Sequence, residues 1–394
     1  MSRELISRSA DLRRLREEGY DIRIVRGFLV VSSIPYVTPE KQVEYGQLVC
    51  PLALAGEVTL PPPDHVVRFA GKTPSYANGT RLDKVIHSSG RQELMPDLWV
   101  DFTFSSKPAG GYPDYYAKMT TYIKILVAEA RSIDETVTAT PFRVVETEDE
   151  DSVFLYTDNA SSRAEIGMIN QKLALNRVSI VGLGGTGSYI LDLVAKTPVR
   201  QIDLFDGDRL LQHNAFRSPG APSVEELREV PFKVDYWAGI YSKMRRGVVP
   251  HLYYMDEQHL AELDGSDFVF LAFDGGANKK ALVQYLEDRG IAFIDVGMGL
   301  YKVGNDCLGG QVRTVASTPQ QREHVHARGR IPFVEPSEKD EYEQNIQIAD
   351  LNALNAVMAV IKWKKLAGFY QDLEGEHFSL YQVNGNCLIN EDRE

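Results

Sequence analysis

The sequence predicts an α/β protein in two parts. A doubly wound, mostly parallel sheet occupies residues 161–394, and a smaller strand-rich α+β domain precedes it over residues 1–145. Three observations lead there. Apolar runs at 178–181, 201–205, 268–273 and 292–296 are separated by helical stretches, the pattern of strands buried on both faces and joined by crossover helices. The first run leads directly into a glycine-rich turn and then a helix. The acidic stretch Glu146-Thr147-Glu148-Asp149-Glu150-Asp151 divides this pattern from a region of different character; charges this dense resist packing, so residues 146–160 read as a linker.

Composition sets the outer limits. A chain of 394 residues suits two domains at roughly 100–200 residues each. With 43 basic against 55 acidic side chains, a net charge of −12, the basic face of a nucleic-acid binder is not expected. The amino terminus is charged from Arg3 onward and has no apolar core of signal-peptide length, and no apolar stretch approaches the roughly 20 residues of a bilayer span, so a cytoplasmic location without membrane contact is expected. Cys50, Cys307 and Cys387 are odd in number, far apart and never paired as CxxC, which argues against a disulfide framework or a cysteine-built zinc site.

In the first part, a short charged helix over 9–18 precedes an alternating stretch, 21–31, that reads as two strands around Gly27. Strand patterns recur at 66–69 and 98–104, with Pro61-Pro62-Pro63 and Gly110-Gly111 as breaks. Over 114–131, Met119, Tyr122, Ile123, Leu126 and Ala130 fall on one helical stripe. Tyr112, Tyr115 and Tyr116 offer a recognition surface for an extended peptide, though aromatic packing of the turn is the favoured reading.

In the second part, Gly182-Leu183-Gly184-Gly185-Thr186-Gly187 follows the first strand and opens the next helix. Glycines there permit a tight turn, close backbone approach to a phosphate and close helix packing, while the helix start offers free N–H donors. Asp206, 19 residues past Gly187 at the end of the next strand, has the spacing of a ribose-binding acid. The loop by itself leaves NAD, FAD and ATP open. Downstream chemistry favours ATP: Asp208 lies two residues on, then Asn214 and Arg217, with Lys233 a further 16 residues away. A dehydrogenase has no need of an arginine there, whereas departure of pyrophosphate calls for cations. Asp274, ending the run 268–273, falls at the carboxyl edge of a central strand, where a carboxylate can hold Mg²⁺.

These residues, Gly182 to Gly187, Asp206 and Asp208, Asn214 and Arg217, Lys233 and Asp274, resemble the ThiF-type adenylyltransferases, which include the adenylation domains of ubiquitin-activating enzymes; the likeness spans about residues 161–363. It implies a Rossmann-like sheet, ATP and Mg²⁺, and adenylation of the carboxyl-terminal glycine of a ubiquitin-like protein. By position, Asp206 would bind the ribose with Asp208 beside it, Asn214, Arg217 and Lys233 would face the phosphates, and Asp274 the metal. Arg163 matches an arginine that reaches into the neighbouring subunit's site in related homodimers. The whole-chain pattern, an extra amino-terminal domain before the core together with the stretches 213–217, 295–299 and 346–355, is similar to bacterial relatives found with ubiquitin-like proteins, ubiquitin-conjugating-enzyme-like proteins and JAB-type peptidases.

Two departures bear on mechanism. The paired CxxC zinc site of many relatives is absent, which weakens a role in sulfur transfer. Relatives that form a thioester carry their cysteine in the segment crossing the adenylate, and the corresponding 317–344 has none; it is a polar span with His324, His326, Arg328 and Arg330, expected as a mobile loop over the site. Cys307 is the remaining thioester candidate, set against the simpler reading of a bystander; Cys50 and Cys387 read as core thiols. Direct transfer of the acyl adenylate to a nucleophile on a partner is therefore expected. His324-Val325-His326 has the alternation of two imidazoles on one side of a strand but no accompanying carboxylates for a metal. The helical pattern of 348–363 reads as a core helix, with a dimer contact as the functional alternative. Other functions weighed are adenylation of a small-molecule or tRNA carboxylate, a nucleotide-binding scaffold without catalysis, and an NAD-dependent oxidoreductase.

Overall fold

A computed structural model describes residues 2–56, 58–96, 98–144, 152–156, 158, 166–274, 276–304, 306–333 and 346–393. The chain forms two compact units, Met1–Val145 and Glu146–Glu394.

The first unit carries helices α1 (Ser2–Arg8) and α2 (Ala10–Glu17), strands β1 (Asp21–Val25), β2 (Phe28–Val37), β3 (Val43–Pro51), β4 (Leu54–Ala55), β5 (Val58–Thr59), β6 (Val66–Ala70), β7 (Ile86–Met95) and β8 (Leu98–Ser105), and helix α3 (Tyr115–Arg131). Six strands make one antiparallel sheet in the order β1-β2-β3-β6-β8-β7. Asp114 starts α3 by accepting the Ala117 N–H at 2.7 Å. The stripe Met119, Tyr122, Ile123, Leu126 of α3 packs with Leu29, Val31, Phe69 and Phe104 of the sheet in one core. Tyr112 and Tyr115 are buried, and the Tyr115 hydroxyl donates to Pro51 O at 3.0 Å, so these rings are packing and not an open recognition surface.

The second unit contains α4 (Gly167–Asn170), β9 (Arg177–Val181), α5 (Gly185–Val194), β10 (Gln201–Phe205), α6 (Gln212–Ala215), α7 (Val224–Arg228), α8 (Lys233–Tyr241), β11 (Val248–His251), β12 (Phe268–Leu271), α9 (Ala277–Asp288), β13 (Phe293–Val303), β14 (Cys307–Ser317), α10 (Glu323–Ala327), α11 (Ala349–Leu366), β15 (Glu376–Gln382) and β16 (Cys387–Arg393). The sheet runs β11-β10-β9-β12-β13-β14-β15-β16. Its first five strands are parallel and the last three join antiparallel. The chain builds outward from β9 in one direction through β10 and β11, then returns to its other side with β12, which creates a topological switch point between β9 and β12. Val178 is in register with Ile202 on one side and Phe268 on the other, so the carboxyl ends of the central strands finish level. The sheet is apolar on both faces: Val178, Ile180 and Phe270 pack with Trp237 and Trp363, whereas Val181, Val269 and Leu271 pack with Leu282 and Leu286.

Of the expected acidic linker, the described residues are 152–156 and 158, and part of them is engaged: Leu155 N–H donates to Met244 O at 2.9 Å and Arg246 N–H to Val153 O at 2.7 Å. No described helix is long and apolar enough to cross a membrane.

Candidate functional site

The carboxyl ends of β9, β10 and β12 and the middle of β13 open onto a cavity of about 550 Å³. Gly182, at φ +89°, turns the chain out of β9; a Cβ there would lie 2.5 Å from Ala272 O. Gly187 allows α5 to start against that turn, since a Cβ would come within 1.9 Å of Gly182 O. Gly185 fits closely against Asn352 of α11. Gly184 meets nothing: a Cβ would enter open space at the cavity wall. The first residue of α5 follows it without a side-chain cap, so the helix start presents its dipole to the cavity.

Asp206 is buried and shapes the loop from beneath. It accepts the Leu183 N–H at 2.7 Å on one oxygen and the Asp208 N–H at 2.8 Å on the other. Lys233, buried at the start of α8, donates to Asp208 Oδ2 at 2.6 Å and stands 3.5 Å from Asp206 Oδ2. Burial alone would raise the Asp208 pKa, but its hydrogen bonds to Lys233 and Tyr254 hold the carboxyl below the usual range. Arg217 follows α6, its Nε buried without a partner. Burial pulls its pKa down, while Asp274 and Asp208 act the other way. Asp274 is exposed on the cavity wall. Acids and cations thus line the cavity together with the apolar side chains Val181, Phe205 and Met255.

Of the residues singled out in the sequence, Gly182, Gly184, Gly185, Asp206, Asp208, Arg217, Lys233 and Asp274 line this cavity. Gly187 serves packing beneath it. Asn214, expected to face the phosphates, is not among the lining residues; its Oδ1 accepts the Leu211 N–H at 2.8 Å, and its carbonyl accepts the Arg217 N–H at 3.1 Å. It shapes the turn from which Arg217 projects. Arg163 lies outside the described residues.

Several lining groups were not foreseen. Thr186 donates to Asn352 Oδ1 at 2.9 Å, Asn352 donates to Arg217 O at 3.4 Å, and Asn355 donates to Gly297 O at 3.1 Å. Through these bonds α11 ties the glycine loop, the arginine turn and β13 together; the helix is more than core packing. Tyr254, in the loop after β11, also faces the cavity. The stretch 346–355 belongs to the whole-chain pattern of the sequence, but nothing in its spacing marks the two asparagines.

Cys307 is exposed at the start of β14, paired with Val303 across the hairpin, while the cavity is reached by Val296, Gly297 and Met298. Five strand residues beyond Met298 is about 17 Å at strand rise. Cys387 is exposed on the edge strand β16 and is not the core thiol expected; Cys50 is buried, which pushes its thiol pKa up. The span from 317 is also different from expectation where it is described. His324 and His326 sit in the short helix α10, His324 buried and His326 exposed, and do not share a strand face. His326 meets Glu287 at 2.7 Å, and Arg328 and Arg330 each bind Asp392 at 2.7 Å, so residues 326–330 are pinned to α9 and to the edge strand β16; 334–345 lie outside the described residues.

Comparison with known proteins finds family matches in both parts of the chain. The ThiF family model matches residues 159–363, and a domain of unknown function, DUF6791, matches 10–159. Among solved structures, E. coli MccB with ATP is 17% identical, covering 60% of this chain and 73% of its own at a TM-score of 0.46. Selenomethionine PaaA is 17% identical over 57% of this chain and 75% of its own, TM-score 0.43. The microcin C7 biosynthetic enzyme MccB in complex with N-formylated MccA is 16% identical over 59% and 68%, TM-score 0.44. No curated protein matches the chain in sequence.

Proposed function

This chain belongs to the ThiF family of adenylating enzymes, and from that membership we propose that it uses ATP to adenylate the carboxyl-terminal glycine of a ubiquitin-like protein and passes the product to a ubiquitin-conjugating-enzyme-like partner. The observation that carries the ATP reading is the Arg217 guanidinium, its Nε buried and unpartnered, sharing a switch-point cavity with Lys233, Asp274 and the open cradle at Gly184. An unpaired buried donor is costly unless a ligand satisfies it, and a phosphate oxygen does so. The apolar lining residues Val181, Phe205 and Met255 suit a base.

In this reading the amides at the start of α5 receive phosphate oxygens, and Asp206, with both oxygens already holding backbone N–H groups, has lone pairs left for a ribose hydroxyl. Arg217 and Lys233 neutralise charge as the acceptor carboxylate attacks the α-phosphate and pyrophosphate leaves. That carboxylate is ionised near pH 7, so no general base is needed, and positioning and electrostatics supply the catalysis. No group of three metal-ligating side chains occurs among the described residues. Asp274, exposed on the cavity wall, would hold Mg²⁺, which when bound would neutralise phosphate charge. With no cysteine in 317–344 and Cys307 on a distant hairpin, the adenylate is handed directly to the partner's nucleophile. A homodimer is taken as the working form, as the likeness of Arg163 to the arginine of related homodimers implies.

The test is ATP–pyrophosphate exchange with purified chain, Mg²⁺ and ubiquitin-like proteins ending in glycine. Exchange that Asp274→Ala abolishes is the expected result. A melting temperature raised by NADH and not by ATP–Mg²⁺ refutes the whole reading; stabilisation by ATP–Mg²⁺ without exchange on any glycine-ending acceptor refutes the acceptor alone.

A further inference from the structure

One cavity group has no part in the chemistry above: Tyr254. It is 62% exposed, so it contributes little to the core, yet it makes two defined contacts. Its hydroxyl donates to Asp208 Oδ1 at 2.5 Å. Its ring lies over Gly207, where a Cβ would come within 2.8 Å of the ring edge, so residue 207 has no side chain to displace it. The loop that carries Tyr254 is anchored on the sheet: His251 stacks on Phe205 at 4.4 Å and faces Asp203 at 3.2 Å.

We propose that Tyr254 is a positioning residue that aims Lys233 at the nucleotide phosphates by clamping Asp208. This role rests on the ATP reading. Asp208 is half exposed and follows a glycine, so nothing on its own segment fixes the carboxylate. The phenol takes one oxygen and leaves the other to Lys233 at 2.6 Å. An ammonium has three protons. With Asp208 holding one and Asp206 attracting a second at 3.5 Å, the third is directed by default, and this direction lasts only while Asp208 stays in place. A phenol-to-carboxylate bond is charge-assisted, strong enough for the task, and it raises the Tyr254 pKa to about 12, so the proton remains on the hydroxyl across the working range.

The experiment is calorimetric titration of the full chain with ATP–Mg²⁺ and, separately, adenosine. Tyr254→Phe keeps the ring and removes the clamp. ATP should bind about tenfold more weakly, the worth of one such bond, while adenosine stays within about twofold. Because Tyr254 acts through Asp208, Tyr254→Phe added to Asp208→Asn should cost nothing further. Unchanged ATP affinity in Tyr254→Phe, parallel weakening of ATP and adenosine, or fully additive losses in the double variant each overturn the role. A wild-type chain that binds neither ligand refutes the ATP reading and this role with it, whereas failure confined to the variants overturns the role alone.

Discussion

Two glycines three residues apart, Gly184 and Gly187, should fail in opposite ways when replaced by alanine. At Gly187 a Cβ would lie 1.9 Å from Gly182 O and 3.2 Å from the Ala272 Cβ. The nearest comfortable carbon-to-oxygen approach is about 3.3 Å, so the start of α5 must retreat by about 1.4 Å. Overpacking of this kind costs about 1–3 kcal/mol, against which alanine's better helix propensity returns about 1 kcal/mol. A net loss of about 1 kcal/mol lowers the melting temperature by roughly 2–4 °C in a domain of this size. At Gly184 a Cβ meets nothing within 4 Å, and φ is −69°, which alanine adopts freely. Gly184→Ala should therefore melt with the wild type but bind ATP at least about tenfold more weakly, because the methyl occupies the cradle. Scanning calorimetry with and without ATP–Mg²⁺ separates the two. A Gly187→Ala protein as stable as wild type, or a Gly184→Ala protein with undiminished ATP affinity, would refute this division of labour between packing and ligand.

Removing Lys233 should expose a pH signature. Asp208 is held low in the folded chain by Lys233, so that contribution is present above its unfolded value near 3.9 and is lost as pH falls. Lys233→Met should cost about 2 kcal/mol at pH 7, less than a fully buried pair because Asp208 half faces solvent, and urea midpoints should show the gap to wild type closing as pH drops through about 4. A gap constant with pH contradicts the pairing. His324 acts in a different window: burial lowers its pKa, so stability is full above its unfolded value near 6.5 and declines as pH falls toward the lowered one. His324→Leu should therefore flatten the fall in melting temperature between about pH 7 and 5, and an unchanged slope counts against it. Cys307→Ser should leave pyrophosphate exchange and transfer to the partner intact; a thiol-sensitive adduct lost in that variant would restore Cys307 as the acyl carrier.

The half of the site carried by local signals was readable in advance. Gly182 to Gly187 sit between an apolar run and a helix, and Asp206 and Asp274 each end such a run, so chain order alone places them at one sheet edge. Asn352 and Asn355 arrive from a helix 166 residues past Thr186, and no spacing rule links them; in the sequence they are two polar positions on an apolar stripe. Tyr254 follows β11, whose four residues include a proline and make no recognisable run. The exposed edge strand β7, IHSSGRQELM, escaped for a related reason: with neither face wholly buried, alternation has nothing to record. His324 and His326 misled because three residues fit a strand and a helical turn equally well, and packing against Glu287 and the carboxyl-terminal acids chose the helix.

The late completion of the antiparallel edge bears on how the chain is made. Strand β14 ends at Ser317 and its neighbour β15 begins at Glu376. At roughly 5–20 residues per second of synthesis, β14 waits about 3–12 s with an open row of backbone donors and acceptors. Asn352, which braces the glycine loop, and Asn355, which braces β13, also emerge within that interval. That interval is when a chaperone or an unwanted strand partner competes for the exposed edge of β14.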